Sequence, residues 1–137
     1  MEIAIADTGF VVALLNQGDA RHSDVVPIYT RQFSILLPQT VLAEVAYLIG
    51  RDAGIKTVVA FLRGLNTSRF RLIALTEVDV DRVAEILQTY ADSRIDFVDA
   101  SVMAVAERFG SAKILTLDQR DFRLFQPRHC DSFEILP

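Results

Sequence analysis

Two aspartates each close a short apolar run: Asp7 follows Glu2-Ile-Ala-Ile-Ala6 directly, and Asp118 comes soon after Lys113-Ile-Leu-Thr116. If both runs are strands of one parallel sheet, their carboxyl ends share an edge, where open α/β sheets keep their binding crevice. Two residues far apart in sequence then converge. Each also has a structural reading, Asp7 as the N-cap of a following helix and Asp118 as a turn residue in Leu117-Asp-Gln-Arg-Asp121. Asp96 and Asp99 stand at i and i+3 at the start of another segment, near the first turn of a helix and on adjacent faces. Capping accounts for Asp96. It does not account for Asp99, which falls among Val102, Met103 and Ala106 on an apolar face with no Lys or Arg one turn further along. An ionised carboxylate buried there is costly unless it is paired or binds a metal, and the helix dipole offsets only ~0.3 to 1 kcal/mol of that cost. Glu44 is a lone acid in Thr40-Val-Leu-Ala-Glu-Val-Ala-Tyr-Leu-Ile49, beside the stripe of Val41, Val45 and Leu48. A salt bridge to Arg51 or Arg71 is its structural alternative.

The charge balance points the same way. The 137 residues include eighteen acids and fourteen bases, a net charge of −4. Setting aside Asp7, Glu44, Asp96, Asp99 and Asp118 leaves thirteen acids against fourteen bases, a nearly balanced surface. Clustered carboxylates raise one another's proton affinity and repel unless a cation neutralises them. Hard oxygen donors without His or Cys suit Mg²⁺ or Mn²⁺, which keep part of their water shell for substrate phosphates. That chemistry is phosphoryl transfer: one ion lowers the pKa of a bound water, and a second, ~3.5 to 4 Å away, can hold the leaving oxygen.

Such a site needs strands that end together and helices that begin beside them. Strands are expected at Glu2 to Ala6, Ser34 to Leu37, Phe70 to Leu75, Lys113 to Thr116 and, more weakly, Phe133 to Leu136. Helical periods fill the intervals at Gly9 to Asn16, Ser23 to Arg31, Thr40 to Arg51, Lys56 to Leu65, Asp79 to Ala91 and Phe97 to Phe109. In the fifth helix Val80, Val83, Ala84, Leu87 and Tyr90 form the packing stripe, with Asp81, Arg82, Glu85 and Gln88 on the wet side. The sixth, from Phe97 to Phe109, has hardly any polar arc and reads as enclosed by the rest of the domain. The alternation predicts an α/β fold with a mainly parallel sheet, and with no linker, repeat or low-complexity segment the 137 residues read as one domain.

Composition removes several classes. A hydrophobic content of 51% with 23% charge is enough for a sizeable core and argues against disorder. The longest apolar run, Phe10 to Leu15, is far short of the roughly 18 residues of a membrane span, and the Met-Glu-Ile start lacks a basic n-region, so a soluble, untargeted protein is expected. One cysteine, Cys130, allows no intrachain disulfide and suits a reducing cytoplasm. His22, His129 and Cys130 fit no common zinc spacing, and the glycines form neither a dinucleotide fingerprint nor a P-loop. The negative net charge argues against a broad electrostatic grip on nucleic acid. Arg94, Arg120, Arg123 and Arg128 could still line a path for an RNA backbone toward the acids, with a solvated charged surface as the default reading.

Read together, these residues resemble the PIN-domain ribonucleases and, among them, the VapC-like toxins of toxin-antitoxin pairs. The resemblance runs nearly end to end. Ile5-Ala-Asp-Thr-Gly-Phe-Val-Val-Ala-Leu14 is similar to the family's opening strand and Asp-Thr/Ser turn, with His22 in the usual place after the first helix. Thr40-Val-Leu-Ala-Glu-Val45 resembles its second acidic motif. The stretch from Tyr90 through Asp96 and Asp99 to Gly110, followed by Ile114-Leu-Thr-Leu-Asp-Gln-Arg-Asp-Phe122, is the most specific. The resemblance implies a three-layer α/β/α sandwich around a central parallel sheet and a Mg²⁺- or Mn²⁺-dependent endoribonuclease. Asp7, Glu44 and Asp99 would be the core metal ligands and Asp118 a fourth acid, with Asp96 matching an additional acid of one branch of the family. Thr8 and Thr116 would orient ligands or water. It also implies a homodimer and an antitoxin partner that lays a chain segment across the acidic groove.

Two other classes stand beside this one. A catalytically silent binding module would work through partner association, and absence of metal binding would mark it. A phosphoacceptor receiver also places acids at strand ends, but it calls for an acceptor Asp after a middle strand and a Lys after a late one. Here Phe70 to Leu75 runs into Thr76-Glu77, and Lys113 precedes its strand. A structure-specific DNA nuclease with the same core would need extra helical elements for which this chain has no room.

Overall fold

In the computed structural model, which describes residues 2–137, five strands form one sheet. They are β1 Ala4–Ala6, β2 Ile35–Pro38, β3 Phe70–Ile73, β4 Lys113–Leu115 and β5 Glu134–Leu136. Their order across the sheet is β3-β2-β1-β4-β5, and all four pairings are parallel. Every residue of β1 and β2 is buried. Strands covered on both faces read as continuous apolar runs, and that is how Ala4-Ile-Ala6 and Ile35-Leu-Leu37 read. The edge strands β3 and β5 are partly exposed and carry charged residues, Arg71 and Glu134. The expected α/β sandwich with a central parallel sheet is the observed architecture.

Seven helices connect and cover the strands: α1 Thr8–Leu15, α2 His22–Arg31, α3 Gln39–Ala53, α4 Ile55–Gly64, α5 Glu77–Thr89, α6 Phe97–Phe109 and α7 Gln119–Leu124. A short 3₁₀ turn, Leu65–Thr67, follows α4. Six of the seven helices were legible as helical periods. The exception is α7, six residues of largely polar sequence that carry no amphipathic period of their own.

α6 is enclosed as expected, with Ala100 through Ala106 all buried. Its first residue, Phe97, is instead 48% exposed, because it sits on the opening turn at the margin of the layer. The helix starts on a capping box between Asp96 and Asp99 and stops at Gly110. At a φ of +66°, Gly110 adopts the left-handed cap that glycine reaches without a Cβ clash.

The packing stripe of α5 differs from the sequence expectation. Val83 and Ile86 are buried, while Val80 is exposed and Ala84 lies on the wet side. The reason is a buried acid. Asp79 caps the helix reciprocally with Thr76 and receives the Arg108 guanidinium of α6 at 2.9 Å. A second ion pair, Arg82 to Glu107 at 2.7 Å, binds α5 to α6 one turn later. Removing one partner of a buried pair of this kind typically costs about 3 kcal/mol or more. These contacts rotate α5 so that Ile86, and not Val80, faces the core. In α3 the seam likewise runs Val41, Val45, Ile49, with Leu48 half-buried on its flank.

Candidate active site

The strand order reverses direction at β1, whose neighbours β2 and β4 follow from opposite halves of the chain, and open α/β sheets bind ligands at such a switch point. Register then fixes what stands there. Ala6 pairs with Leu115, so the next residues of the two strands, Asp7 and Thr116, are neighbours. The Asp7 amide donates to Leu115 O at 2.9 Å. The Thr116 hydroxyl accepts from the Asp118 amide at 3.0 Å and donates to Asp7 Oδ2 at 3.0 Å. One side chain therefore fixes both the Asp7 carboxylate and the loop that carries Asp118.

Asp7 occupies the N-cap position of α1, yet its carboxylate makes no capping bond. It is 6% exposed, and beside it the buried Thr8 hydroxyl has no hydrogen-bond partner. Burial pushes the Asp7 carboxyl up to about 6. The Thr8 amide and Thr116 hydroxyl oppose that rise, while the charges of Asp118 and Glu44 add to it. Glu44 is half-buried on α3 and joins no ion pair among the described residues. Its sequence alternative does not occur: Arg51 is taken by Asp52 at 2.8 Å, and Arg71 pairs with no acid among the described residues. A hydroxyl contact, Thr40 Oγ1 to Ser101 Oγ at 2.6 Å, holds the start of α3 against α6 beside Asp99.

At the start of α6 the two acids separate in role. Asp96 is exposed and its Oδ1 accepts the Asp99 amide at 2.9 Å, which is the capping use foreseen for it. Asp99 returns the bond, Oδ2 accepting from the Asp96 amide at 3.1 Å. Burial first, and then the charges of Asp7 and Asp96, push the Asp99 carboxyl up to about 8, against the lowering effect of the Asp96 amide. Oxygens of Asp99, Asp118 and Asp121 lie within 4.8 Å of one another. Asp118 is exposed and Asp121 is 4% exposed.

Asp121 had not been singled out from the sequence. Burial raises its proton affinity, as does Asp118, while Arg120 and Arg94 oppose the rise. A signal was present: Asp118 and Asp121 repeat the i, i+3 spacing of Asp96 and Asp99 at a helix start. It was hidden because Leu117-Asp-Gln-Arg-Asp121 reads as a turn.

The structure thus gathers Asp99, Asp118 and Asp121, with Asp7 and Glu44 within electrostatic reach and Asp96 at the rim as a cap. Among the described residues no Lys, Arg or His forms an ion pair with any of these acids. Converging carboxylates that form no ion pair, with Asp7, Asp99 and Asp121 binding a proton more tightly than usual, fit a divalent metal with oxygen preference. Asp7, Glu44, Asp99, Asp118 and Asp121 are the residues that could hold it.

The other polar candidates lie apart. The His22 Nδ1–H donates to Ala13 O at 2.8 Å and ties α2 to α1, and the His129 Nε2–H donates to Ser111 O at 2.7 Å. Arg128 does not join the path of arginines expected from sequence. It pairs with Glu85 at 2.8 Å, and its amide donates to Glu107, which anchors it to the α5–α6 side. Arg94, Arg120 and Arg123 do share one cavity, with Asp121 on its wall.

A parallel sheet of this order with acids at its switch point defines an α/β protein whose site lies at the carboxyl ends of its strands, and the sequence assigns its family. Residues 4–125 match the PIN domain, and the chain belongs to that family. It is similar to Ribonuclease VapC26 of Mycobacterium tuberculosis, 28% identical over 134 residues that cover 97% of this chain and 99% of the relative. Among solved structures it resembles VapC20 of the same organism, described as a sarcin-ricin loop cleaving toxin. The TM-score is 0.75 and the identity 27%, over 81% of this chain and 86% of that one. VapBC2 from Rickettsia felis, solved bound to a promoter DNA fragment, shares the fold with a TM-score of 0.71 at 15% identity, over 98% and 99% of the two chains.

Proposed function

We propose that this chain is a divalent-metal-dependent endoribonuclease, the toxin of a type II toxin-antitoxin pair, acting as a single domain. The observation that carries the reading is the convergence of Asp99, Asp118 and the buried Asp121 at the β1/β4 switch point, with no ion pair to a cationic side chain among the described residues. The likeness to Ribonuclease VapC26 over nearly the whole of both chains supports RNA as the substrate.

In this reading Asp7, Glu44, Asp99 and Asp118 hold Mg²⁺ or Mn²⁺, with Asp121 joining them and Asp96 adding charge from the rim. Bound there, the ion would lower the pKa of a water so that it can lose a proton and attack phosphorus as hydroxide, and would supply positive charge for the oxygens of the transition state. The protein's own work is positioning. Thr116 holds Asp7 Oδ2 in place through its hydroxyl, and the backbone amide of Asp96 holds Asp99 Oδ2. Asp7 and Asp99 give up their protons as the site loads, so affinity for the cation rises with pH. Water adds to phosphorus, the ester bond to the leaving oxygen breaks, and that oxygen takes up a proton.

Partner association is part of the same proposal. α4 has no buried residue, and Ile55, Val59 and Leu62 are exposed along it, with Tyr47 of α3 also exposed. Apolar faces of this sort mark interaction sites, and this one supports an antitoxin and a second copy of the chain as partners. Among the described residues no helix is long and apolar enough to cross a membrane, and action in the cytoplasm, on RNA, follows from the reading.

The test is cleavage of a pool of structured and unstructured RNAs by antitoxin-free protein, with Mg²⁺ or Mn²⁺, with EDTA, and by its Asp99→Asn variant. Metal-dependent cleavage lost in the variant is expected. Cleavage that survives EDTA or the substitution would refute the site, and the absence of both cleavage and metal binding would leave a silent binding module.

A further inference from the structure

A cavity of about 820 Å³ opens between the end of α5, the loop before α6 and α7, beside the acids. Asp121 belongs to both: it lines the cavity and it contributes an oxygen to the carboxylate group. Three arginines line the rest, Arg94 from the loop and Arg120 and Arg123 from α7, together with Tyr90 and Leu124. Five of the other arginines pair with acids, among them Arg82 on Glu107 and Arg108 on Asp79. None of the three cavity arginines forms an ion pair among the described residues, and the one contact Arg123 makes is to Gln119 Oε1 at 2.8 Å. Arg31, Arg63, Arg69 and Arg71 also form no ion pair among the described residues, but Arg94, Arg120 and Arg123 share one cavity. Asp92 also lines the cavity, so arginines outnumber acids there by three to two. In an acidic protein, a group of uncommitted guanidinium groups next to carboxylates is a place for a polyanion that must reach those carboxylates. Guanidinium is also the side chain best matched to phosphate oxygens.

We propose that this cavity is a nucleotide subsite: Arg94, Arg120 and Arg123 hold a backbone phosphate adjacent to the one that is cut, and its unpaired nucleoside lies against Tyr90 and Leu124. The inference rests on the endoribonuclease reading and deepens it, because it states what form of RNA enters. A base that occupies the cavity is splayed out of any helix, so the segment beside the scissile bond is single-stranded. The arginines act as positioning residues, away from the reacting atoms. The Tyr90 ring is well placed to be a fixed wall, since it packs on Phe125 at 5.7 Å and its hydroxyl accepts from the Gln126 amide at 2.9 Å.

The experiment measures binding of a fluorescently labelled single-stranded RNA in EDTA to full-length Asp99→Asn protein, by anisotropy across a salt series. Onto that background go Arg94→Gln, Arg120→Gln and Arg123→Gln together. The control is a triple variant of equal charge change, Arg31→Gln, Arg63→Gln and Arg71→Gln, which are exposed residues outside the cavity. Loss of the three cavity arginines is expected to weaken binding at least about tenfold and to flatten the log–log salt slope by about 0.7, the value for one phosphate contact on a single strand. In otherwise wild-type protein the same triple variant should raise KM for RNA and leave kcat within about threefold. The control should change affinity less than about threefold. Wild-type cleavage with unchanged binding, slope and KM in the cavity variant would overturn the subsite and leave the ribonuclease reading standing, as would an equal loss in the control. Wild-type protein that neither binds nor cuts RNA would overturn both.

Discussion

Replacing Asp7 by Asn separates a residue kept for chemistry from one kept for folding. A buried carboxylate whose proton affinity rises from 3.8 to about 6 is an ionised group held at a cost. Because the folded state binds the proton more tightly than the unfolded state, the favourable contribution is complete below pH 3.8 and is lost as pH climbs through about 6. The difference corresponds to about 3 kcal/mol. Asn has the same shape, carries no charge and keeps an oxygen to accept the Thr116 hydroxyl, so it behaves as the neutral acid does. In EDTA at pH 8, Asp7→Asn should therefore be more stable than the natural protein by up to about 3 kcal/mol. That advantage falls to about 1.5 kcal/mol at pH 5 and vanishes below pH 3.8. Added Mn²⁺ should stabilise the natural protein at pH 8 and leave the variant unchanged. Urea denaturation at both pH values, with and without metal, reads all of this. A variant that is less stable at pH 8 in EDTA would refute the reasoning, since Asp7 would then be a structural acid.

Three further substitutions probe the supports. Thr116→Val deletes the hydroxyl that lowers the proton affinity of Asp7 and accepts from the Asp118 amide; the acidic limb of the pH–kcat/KM profile should move to higher pH, with a stability loss of about 1 to 3 kcal/mol in thermal unfolding. Asp121→Asn should raise the Mn²⁺ concentration for half-maximal cleavage roughly ten- to hundredfold, while the unfolding midpoint in EDTA does not fall. Asp79→Ala breaks the pair with the exposed Arg108 and the cap of α5. It should cost about 2 to 3 kcal/mol in denaturant titrations without changing the metal requirement of the folded enzyme.

The strands that lead to acids were legible because two signals coincide there, an apolar run and a carboxylate following it, directly at Asp7 and within three residues at Asp118. Asp99 was legible for a related reason, an acid on the apolar face of a helix whose seven following residues are all buried. What escaped was set by contacts distant in sequence. Nothing local in α5 predicts that Asp79 turns inward, since its partner Arg108 lies on α6. The fate of Arg128 depends in the same way on Glu85, far back in the chain. α7 is too short to show a period, and the burial of Asp121 and Phe122 comes from what packs around them. Register, which brings Thr116 against Asp7, is likewise a property of the paired strands and of neither alone.

On this reading the acids are together because they hold a divalent cation. Crystals soaked in Mn²⁺ and measured for anomalous scattering test it most directly. The prediction is a peak within about 2.0 to 2.3 Å of carboxylate oxygens at the β1/β4 switch point, contributed by Asp99 and by at least one of Asp7, Asp118 and Asp121, and absent from crystals of Asp99→Asn. A peak elsewhere on the protein, or none at Mn²⁺ concentrations that support RNA cleavage, would contradict it.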